Sequence, residues 1–338
     1  MNTENTARAF WVREPGTGEL RTAPLPVPPE GHVQVRTLFS GISRGTEALV
    51  FRGGVPADQR AAMRAPFQEG EFPGPVKYGY MNVGVVDSVG PEVDPAWQGR
   101  VVFSLYPHQD RFHVPVAAVT PVPDGVPAGR AVLAANLETA VTGVWDAGLS
   151  VGDRLVVVGG GVVGCLVARL AGGVPGVRVT LVDPDPSRTA VARALGVSFA
   201  PGPPDGPPAD VVIHASGHPE GARDALGLLA DEGLLVEMSW FGNQDVALPL
   251  GRDFHSRRLR IRSSQVGRIP PERVPRWTPD RRRALVMDLL RDDALDHLIS
   301  GESPFEELPA VMARLAADGT GVLCHRIRYD APPGSHPG

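Results

Sequence analysis

The rhythm of apolar and polar positions changes once, near residue 130. Over residues 8–125, short alternating runs such as Val33–Leu38, Val83–Val89 and Gly99–Ser104 are separated by turn-rich stretches (PLPVPPEGH, SVGPEVDP, PVPDGVP). Period-two alternation between proline and glycine signals predicts half-buried strands, and several in succession predict a rolled antiparallel sheet or barrel. Residues 52–76 break the rhythm. A short helical core, Asp58–Arg64, lies between turn-rich flanks, and Met63, Phe67 and Phe72 stand on an otherwise polar stretch. The segment is too long for a plain connection, so it reads as a rim or lid over a substrate, or as a contact with a second subunit.

From about residue 130 strands and helices alternate, the pattern of a doubly wound parallel sheet. Strands are predicted over Arg154–Val158, Arg178–Val182, Asp210–Ala215, Leu234–Trp240 and Leu259–Ser264, with a helix over Pro219–Ala230 and a surface loop over 203–210. The remainder predicts helix Pro279–Arg291, strand Leu295–Ile299, helix Ser303–Ala317 and strand Val322–Tyr329. Ser303-Pro304-Phe305-Glu306 has the form of a capping box with proline at the first helical position. The last eight residues, APPGSHPG, are expected to be disordered, and no internal repeat is present.

The stretch with most chemistry joins the first two of these parallel strands. Arg154–Val158 runs into Gly159-Gly160-Gly161-Val162-Val163-Gly164, then an apolar helical run, then Arg178–Val182 and Asp183. Gly159 permits the tight turn out of the strand, Gly161 lets a pyrophosphate approach the backbone, and Gly164 lets the helix pack close to the strand. The amides of Val162 and Val163 then point at the anion from the helix N-terminus. Asp183, nineteen residues past Gly164, is placed to hold the adenosine ribose hydroxyls. A carboxylate there favours NAD(H) over NADP(H), because a 2′-phosphate meets like charge. Arg188 could lie along the adenosine edge and receive such a phosphate.

Composition narrows the class. The chain has 338 residues, 42% of them hydrophobic, and a net charge of −5, which gives no reason to expect nucleic acid. No apolar run approaches membrane-spanning length, and MNTENTARAF carries no apolar signal core, so a cytoplasmic protein is expected. Two cysteines, Cys165 and Cys324, cannot form a disulfide framework or a thiolate zinc site. Lys77 is the only lysine among 33 basic residues. Residues 252–283 hold eleven arginines, which suits either a basic face for an anion or, the more common case, a solvated face paired with nearby acids.

LFSGISRGTE (38–47), VKYGYMNVGVVDSVGPEV (76–93), LETAVTGVWDAGLSVGDRLVVVGGGVVG (137–164), DVVIHASG (210–217) and SPFEELPAVMARL (303–315) together resemble the medium-chain dehydrogenase/reductase superfamily, the alcohol dehydrogenase-like fold. SGISRGTE, with GY in place of GH, resembles the branch that contains bacteriochlorophyllide hydroxyethyl dehydrogenase. The resemblance implies an α/β protein: a GroES-like β-barrel catalytic domain over 1–130, a Rossmann NAD-binding domain with a doubly wound parallel sheet over 131–278, a return to the catalytic domain over 279–330, and a tail over 331–338. It also implies a homodimer acting on a small molecule.

The departures from that family carry as much information. Its zinc members have cysteine where this chain has Ser43, and His-Glu where it has Tyr80-Met81; the third ligand position falls on Glu138. The four-cysteine structural lobe is absent. No zinc is therefore expected, since one carboxylate and a serine do not hold a catalytic ion. Hydride transfer to a ketone still builds charge on oxygen, and a hydrogen-bond donor or general acid must meet it. Tyr80 and Ser43 are the candidate donors, with Glu138 orienting them, sharing the proton, or pinning the junction through Lys77 or Arg44. A Lys77–Tyr80 pair requires the strand to break between them. His108 is either a proton relay or, as loop histidines usually are, solvated. On the cofactor side the resemblance places Thr142 beside the nicotinamide and Arg44 at the pyrophosphate. Ala215, Ser216, Gly217, Ser239 and Gln265 end sheet strands, where ligands sit in this fold class. An NAD(P)-dependent oxidoreductase interconverting a secondary alcohol and a ketone, on a bulky or cyclic substrate, follows. The alternatives are an enoyl or quinone reductase and an inactive nucleotide-binding protein.

Overall fold

The computed structural model describes residues 6–329, and the predicted disordered tail lies outside them. These residues form two compact units, one from the stretches up to 135 and from 299 onward, the other from residues 136–298.

The first unit opens with the hairpin β1 (Thr6–Glu14) and β2 (Thr17–Pro24), then β3 (His32–Ile42) and α1 (Arg44–Phe51). β4 (Glu69–Gly70), β5 (Val76–Lys77), β6 (Asn82–Val89), β7 (Val101–Ser104), β8 (Arg111–Pro115), β9 (Val119–Pro121) and α2 (Ala128–Ala131) follow. β3 is the axis of the unit and pairs antiparallel with β6 and β8. Its alternate residues Val33 and Val35 pack with Val86, Val102, Phe112 and Val114 in one apolar core. Segment 52–76 is part of this unit rather than a loose lid. Phe72 is buried on Tyr78, Phe67 stacks on Tyr106 at 5.3 Å, and β4 pairs with β5. The helix expected at Asp58–Arg64 is a single 3-10 turn, Ala57–Gln59.

α3 (Ala134–Ala147) leads into the second unit: β10 (Arg154–Val158), α4 (Val162–Gly172), β11 (Arg178–Val182), α5 (Arg188–Ala194), β12 (Ser198–Ala200), β13 (Ala209–His214), α6 (Pro219–Gly227), β14 (Leu229–Glu237), α7 (Asp253–Ser256), β15 (Arg260–Ser263) and α8 (Pro279–Leu289). Six parallel strands stand in the order β12-β11-β10-β13-β14-β15. The order reverses between β10 and β13, which opens a crevice at their carboxyl ends. The central strands β10 and β13 are apolar runs because helices cover a parallel sheet on both faces, whereas the edge strand β15 is polar and exposed.

The chain returns to the first unit through β16 (Ile299–Pro304), α9 (Leu308–Ala317) and β17 (Cys324–Arg328). β16 and β17 extend the sheet beyond β3, and α9 packs against α1 with Leu308, Val311, Met312 and Leu315 on its buried face. Three expectations change here. The return begins at Ile299, not at 279, because Arg282 of α8 is bonded into α3 of the second unit. Residues 293–298, expected to start a strand, wind as a 3-10 turn that buries Leu295 and Leu298 at a three-residue period. Ser303 and Pro304 extend the β16 ladder opposite Ile327 and Arg328, and the Ser303 hydroxyl bonds His325 instead of capping a helix. Among the described residues no helix is long and apolar enough to cross a membrane.

Candidate active site

In the first unit β3 ends at Ile42 and Ser43 caps the start of α1. The Gly41 N–H donates to Met81 O at 2.8 Å, which draws the residue before it to the same place. Tyr80 Oη donates to Ser43 Oγ at 2.6 Å. Loss of solvent, with the negative charge of Glu47 adding, pushes the Tyr80 phenol up to about 12 despite hydrogen bonds to Ser43 and Thr46. At neutral pH Tyr80 is therefore a protonated donor. Ser43 Oγ accepts its proton and keeps its own for a further acceptor.

Behind this pair lies a buried chain that sequence reasoning did not find. Glu47, 3% exposed, accepts the Ser43 N–H on Oε1 at 2.8 Å and meets His108 Nε2 with Oε2 at 2.7 Å. His108 is 1% exposed, so the solvated reading is wrong: the turn after β7 folds inward. Its Nδ1 lies 2.7 Å from Ser40 Oγ, which lies 2.9 Å from Tyr329 Oη. An ionised carboxylate only accepts, so Nε2 carries a proton. With a neutral ring every bond then runs one way, from Tyr329 to Ser40 to His108 to Glu47. β17 supplies this geometry, since its antiparallel register sets Ile327 opposite Ser40. The legible signal was Glu47 itself, an acid on the buried face that α1 makes with Ala48, Val50 and Phe51.

Lys77 and Arg44 are committed elsewhere. Lys77 Nζ donates to Glu69 at 2.5 Å and Gln109 at 2.7 Å over the Tyr106 ring, and burial lowers its pKa. No hydrogen bond joins it to Tyr80. The Arg44 guanidinium donates to the carbonyls of Gly319 and Val322 after α9.

In the second unit the glycines behave as their spacing predicts. A Cβ on Gly159, whose φ is +112°, would stand 2.6 Å from Ser216 N, and one on Gly164 would stand 1.9 Å from Gly159 O. At Gly161 a Cβ would meet nothing within 4 Å, and this N-cap supplies no side-chain bond to α4. The amides of Val162 and Val163 thus open onto free space, a cradle that fits a pyrophosphate. Asp183 accepts Gly160 N–H at 2.6 Å and Asp185 N–H at 2.9 Å, bracing the turn. The Arg188 guanidinium is 3.3 Å from Asp185, and its stem lies beside Gly160. Ala215, Ser216 and Gly217 follow β13, Ser239 follows β14, and Gln265 follows β15 with its Oε1 accepting Gly267 N–H.

Glu138 and Thr142 share a buried network with Arg282. Glu138 Oε1 accepts Arg282 Nε at 2.9 Å and Nη2 at 2.8 Å, and Arg282 Nη1 donates to Thr142 Oγ1 at 2.8 Å. Thr142 Oγ1 donates in turn to Glu138 O, and the residue is 0% exposed. These bonds tie Glu138 Oε1 and the Thr142 hydroxyl proton into the packing of α3 against α8. The pairing expected with Lys77 or Arg44 is made by Arg282 instead. Elsewhere in the arginine-rich segment Arg257, Arg258, Arg262 and Arg283 pair with acids, the solvated-face arrangement.

A zinc ion does not fit the residues at the three family positions, which offer a serine hydroxyl, a tyrosine hydroxyl and a carboxylate held by a guanidinium. Among the described residues no group of three or more His, Cys, Asp or Glu stands together to hold a metal.

No protein-family model matches the chain. A D-guloside 3-dehydrogenase of Escherichia coli (strain K12) is 26% identical over 288 residues, covering 78% of this chain and 82% of that protein. Solved structures share the fold. A zinc-binding dehydrogenase from Sinorhizobium meliloti 1021, bound to NADP, aligns with a TM-score of 0.78 at 19% identity over 96% of this chain and 100% of its own. A short chain alcohol dehydrogenase from Escherichia coli CFT073, with NADH, aligns at 0.75 and 17% over 96% and 99%. The fold is thus α/β, with the two-domain architecture of these dehydrogenases.

Proposed function

We propose that this chain is an NAD(P)-dependent oxidoreductase that interconverts a secondary alcohol and a ketone without zinc, using Tyr80 and Ser43 where metal-dependent relatives use the ion. The observation that carries the reading is the 2.6 Å bond from Tyr80 to Ser43, with the phenol held protonated and the Glu47–His108 pair behind it. A nicotinamide nucleotide, held by Gly159, Gly161, Val162, Val163 and Gly164 with Asp183 at the ribose, supplies or accepts the hydride. The chain's own residues do the rest. Tyr80 and Ser43 hold a proton against developing charge on the carbonyl oxygen. Glu47 fixes the Ser43 backbone, and the bond to His108 holds the Glu47 carboxylate in place. NAD(H) is preferred, since Asp183 opposes a 2′-phosphate. The curated relative is named as a dehydrogenase of a D-guloside, and a ring-borne secondary alcohol is the substrate class that fits.

The test is turnover of NADH with a panel of cyclic ketones and keto sugars, beside conjugated enones and quinones. Reduction of the ketones supports the reading. Reduction of the enones or quinones alone establishes the other reductase chemistry, and nucleotide binding with no turnover on any of them establishes an inactive binder.

A further inference from the structure

The carboxyl end of the parallel sheet holds one buried polar cluster that the chemistry above does not use. β13 is apolar through Val211, Val212 and Ile213, and β14 through Leu234, Leu235 and Val236. At the last rung both strands turn polar together: His214 is the direct partner of Glu237 across the ladder, and of Val158 on its other side. His214 is 0% exposed. Its Nδ1 lies 2.8 Å from both Glu237 carboxylate oxygens, and its Nε2 lies 2.6 Å from Ser216 Oγ. Ser239 completes the cluster. Its N–H donates to Glu237 Oε1 at 2.7 Å, its Oγ lies 3.2 Å from His214 Nδ1, and the same Oγ accepts Gly217 N–H at 3.1 Å. Ser216 Oγ also accepts the His218 N–H at 3.1 Å. α6 leaves room for this through Gly221, where a Cβ would stand 2.6 Å from Ser216 Oγ and 2.8 Å from His214 Nε2.

Burying an imidazole whole, against a carboxylate that is itself only partly exposed, costs more than placing two aliphatic side chains there, so stability alone does not account for the pair. Their position does. Val158 leads directly into the glycine turn, and the Ser216 backbone is what a Cβ at Gly159 would strike. The wall of the glycine turn is therefore the loop that His214 anchors.

We infer that the His214–Glu237 pair is a positioning element of the nucleotide site: it fixes Ser216, Ser239 and the Gly217 amide at the ends of β13 and β14, against the turn that receives the pyrophosphate. The inference rests on the nucleotide reading above. It does not make His214 catalytic, because the side chain is enclosed. With a neutral ring, Nδ1–H donates to Glu237 and Nε2 accepts from Ser216, so one imidazole ties two loops together. Without it Glu237 loses its ring N–H donor and keeps only the Ser239 N–H, beside an anionic ligand.

The experiment is NADH affinity by fluorescence titration, with melting temperature measured on the same samples. His214→Leu should weaken NADH binding about tenfold or more, the scale of leaving a buried polar partner unsatisfied. His214→Asn retains an N–H donor toward Glu237 and should recover most of that affinity. If His214→Leu does not fold, Ser216→Ala and Ser239→Ala report the same contacts from the other side, and each should weaken NADH several-fold in protein that still melts cooperatively. Wild-type affinity in His214→Leu, a loss that Asn does not recover, or wild-type affinity in both serine variants overturns the inference. Wild-type protein that binds no nicotinamide nucleotide overturns the nucleotide reading itself.

Discussion

Glu47 Oε2 stands 2.7 Å from His108 Nε2, and the two residues are 61 positions apart in the chain. The pair lies directly behind Ser43, whose backbone N–H is the other ligand of the same carboxylate. A buried carboxylate is tolerated only when its lone pairs are met, and here a ring N–H and a backbone N–H meet them. Removing the acid leaves both donors unsatisfied. Glu47→Leu should therefore lower the free energy of unfolding by about 3–5 kcal/mol, and Glu47→Gln, which keeps an acceptor, by clearly less. Denaturant melts check this; equal losses would show that the charge and its bonds contribute nothing specific.

Tyr80→Phe removes the proposed donor and little else. Turnover should fall roughly 10²-fold or more, the scale of losing a general acid, while NADH affinity stays at its wild-type value. Ser43→Ala should also slow turnover, because the Tyr80 bond ends on its hydroxyl. Steady-state rates with a nucleotide titration separate the two effects. Unchanged rates in Tyr80→Phe would return the ring to a packing role.

Alkaline pH offers a reading that needs no substrate. The chain has four tyrosines, and Tyr78, Tyr80, Tyr106 and Tyr329 all have pKa values raised by burial, Tyr80 from 10.0 to about 12. The folded values lie above the unfolded one. The stability these groups contribute is thus whole below pH 10 and is lost as pH rises through 12 and beyond. The native protein should show little phenolate absorbance at pH 10, where the unfolded chain is half ionised. Half-ionisation of the native protein at that pH would mean that these rings face solvent.

What the sequence revealed and what it hid divide along chain distance. The glycine turn and Asp183 were legible because strand, turn, helix and strand are consecutive, and each glycine answers to a neighbour the local fold dictates. Tyr80 and Ser43 were legible only as family positions. The rest of their site depends on register. Tyr329 reaches Ser40 across 289 residues because β17 pairs with β3, and nothing near either residue announces it. His108 looked like a loop histidine because its two partners come from β3 and α1. Ser303 shows the opposite error: its local signal for a helix start was sound, and the β16–β17 ladder overrode it.

Arg282 and Glu138 also form a buried ion pair. Arg282→Leu leaves the carboxylate unpaired and should cost about 3–5 kcal/mol, with part of the loss recovered by adding Glu138→Gln. The double-variant cycle in denaturant checks it. Additive losses with no coupling would mean the pair is not the contact that matters.

Asp183 should govern nucleotide choice, with NADH binding more tightly than NADPH to the unmodified protein. Asp183→Ser should narrow the gap. It should also weaken NADH itself, because the carboxylate braces the Gly160 turn in addition to its proposed role at the ribose. Parallel titrations with both nucleotides decide this, and tighter NADPH binding by the wild type would point to Arg188 as a phosphate receiver.

Whether side-chain hydroxyls do the work of a metal is decided by the metal content of purified protein, measured with the rate of NADH-dependent ketone reduction before and after exhaustive chelation. If they do, zinc should lie far below one ion per chain, and the chelated protein should keep its rate. One zinc per chain, with activity lost on its removal and restored on its return, would contradict that role.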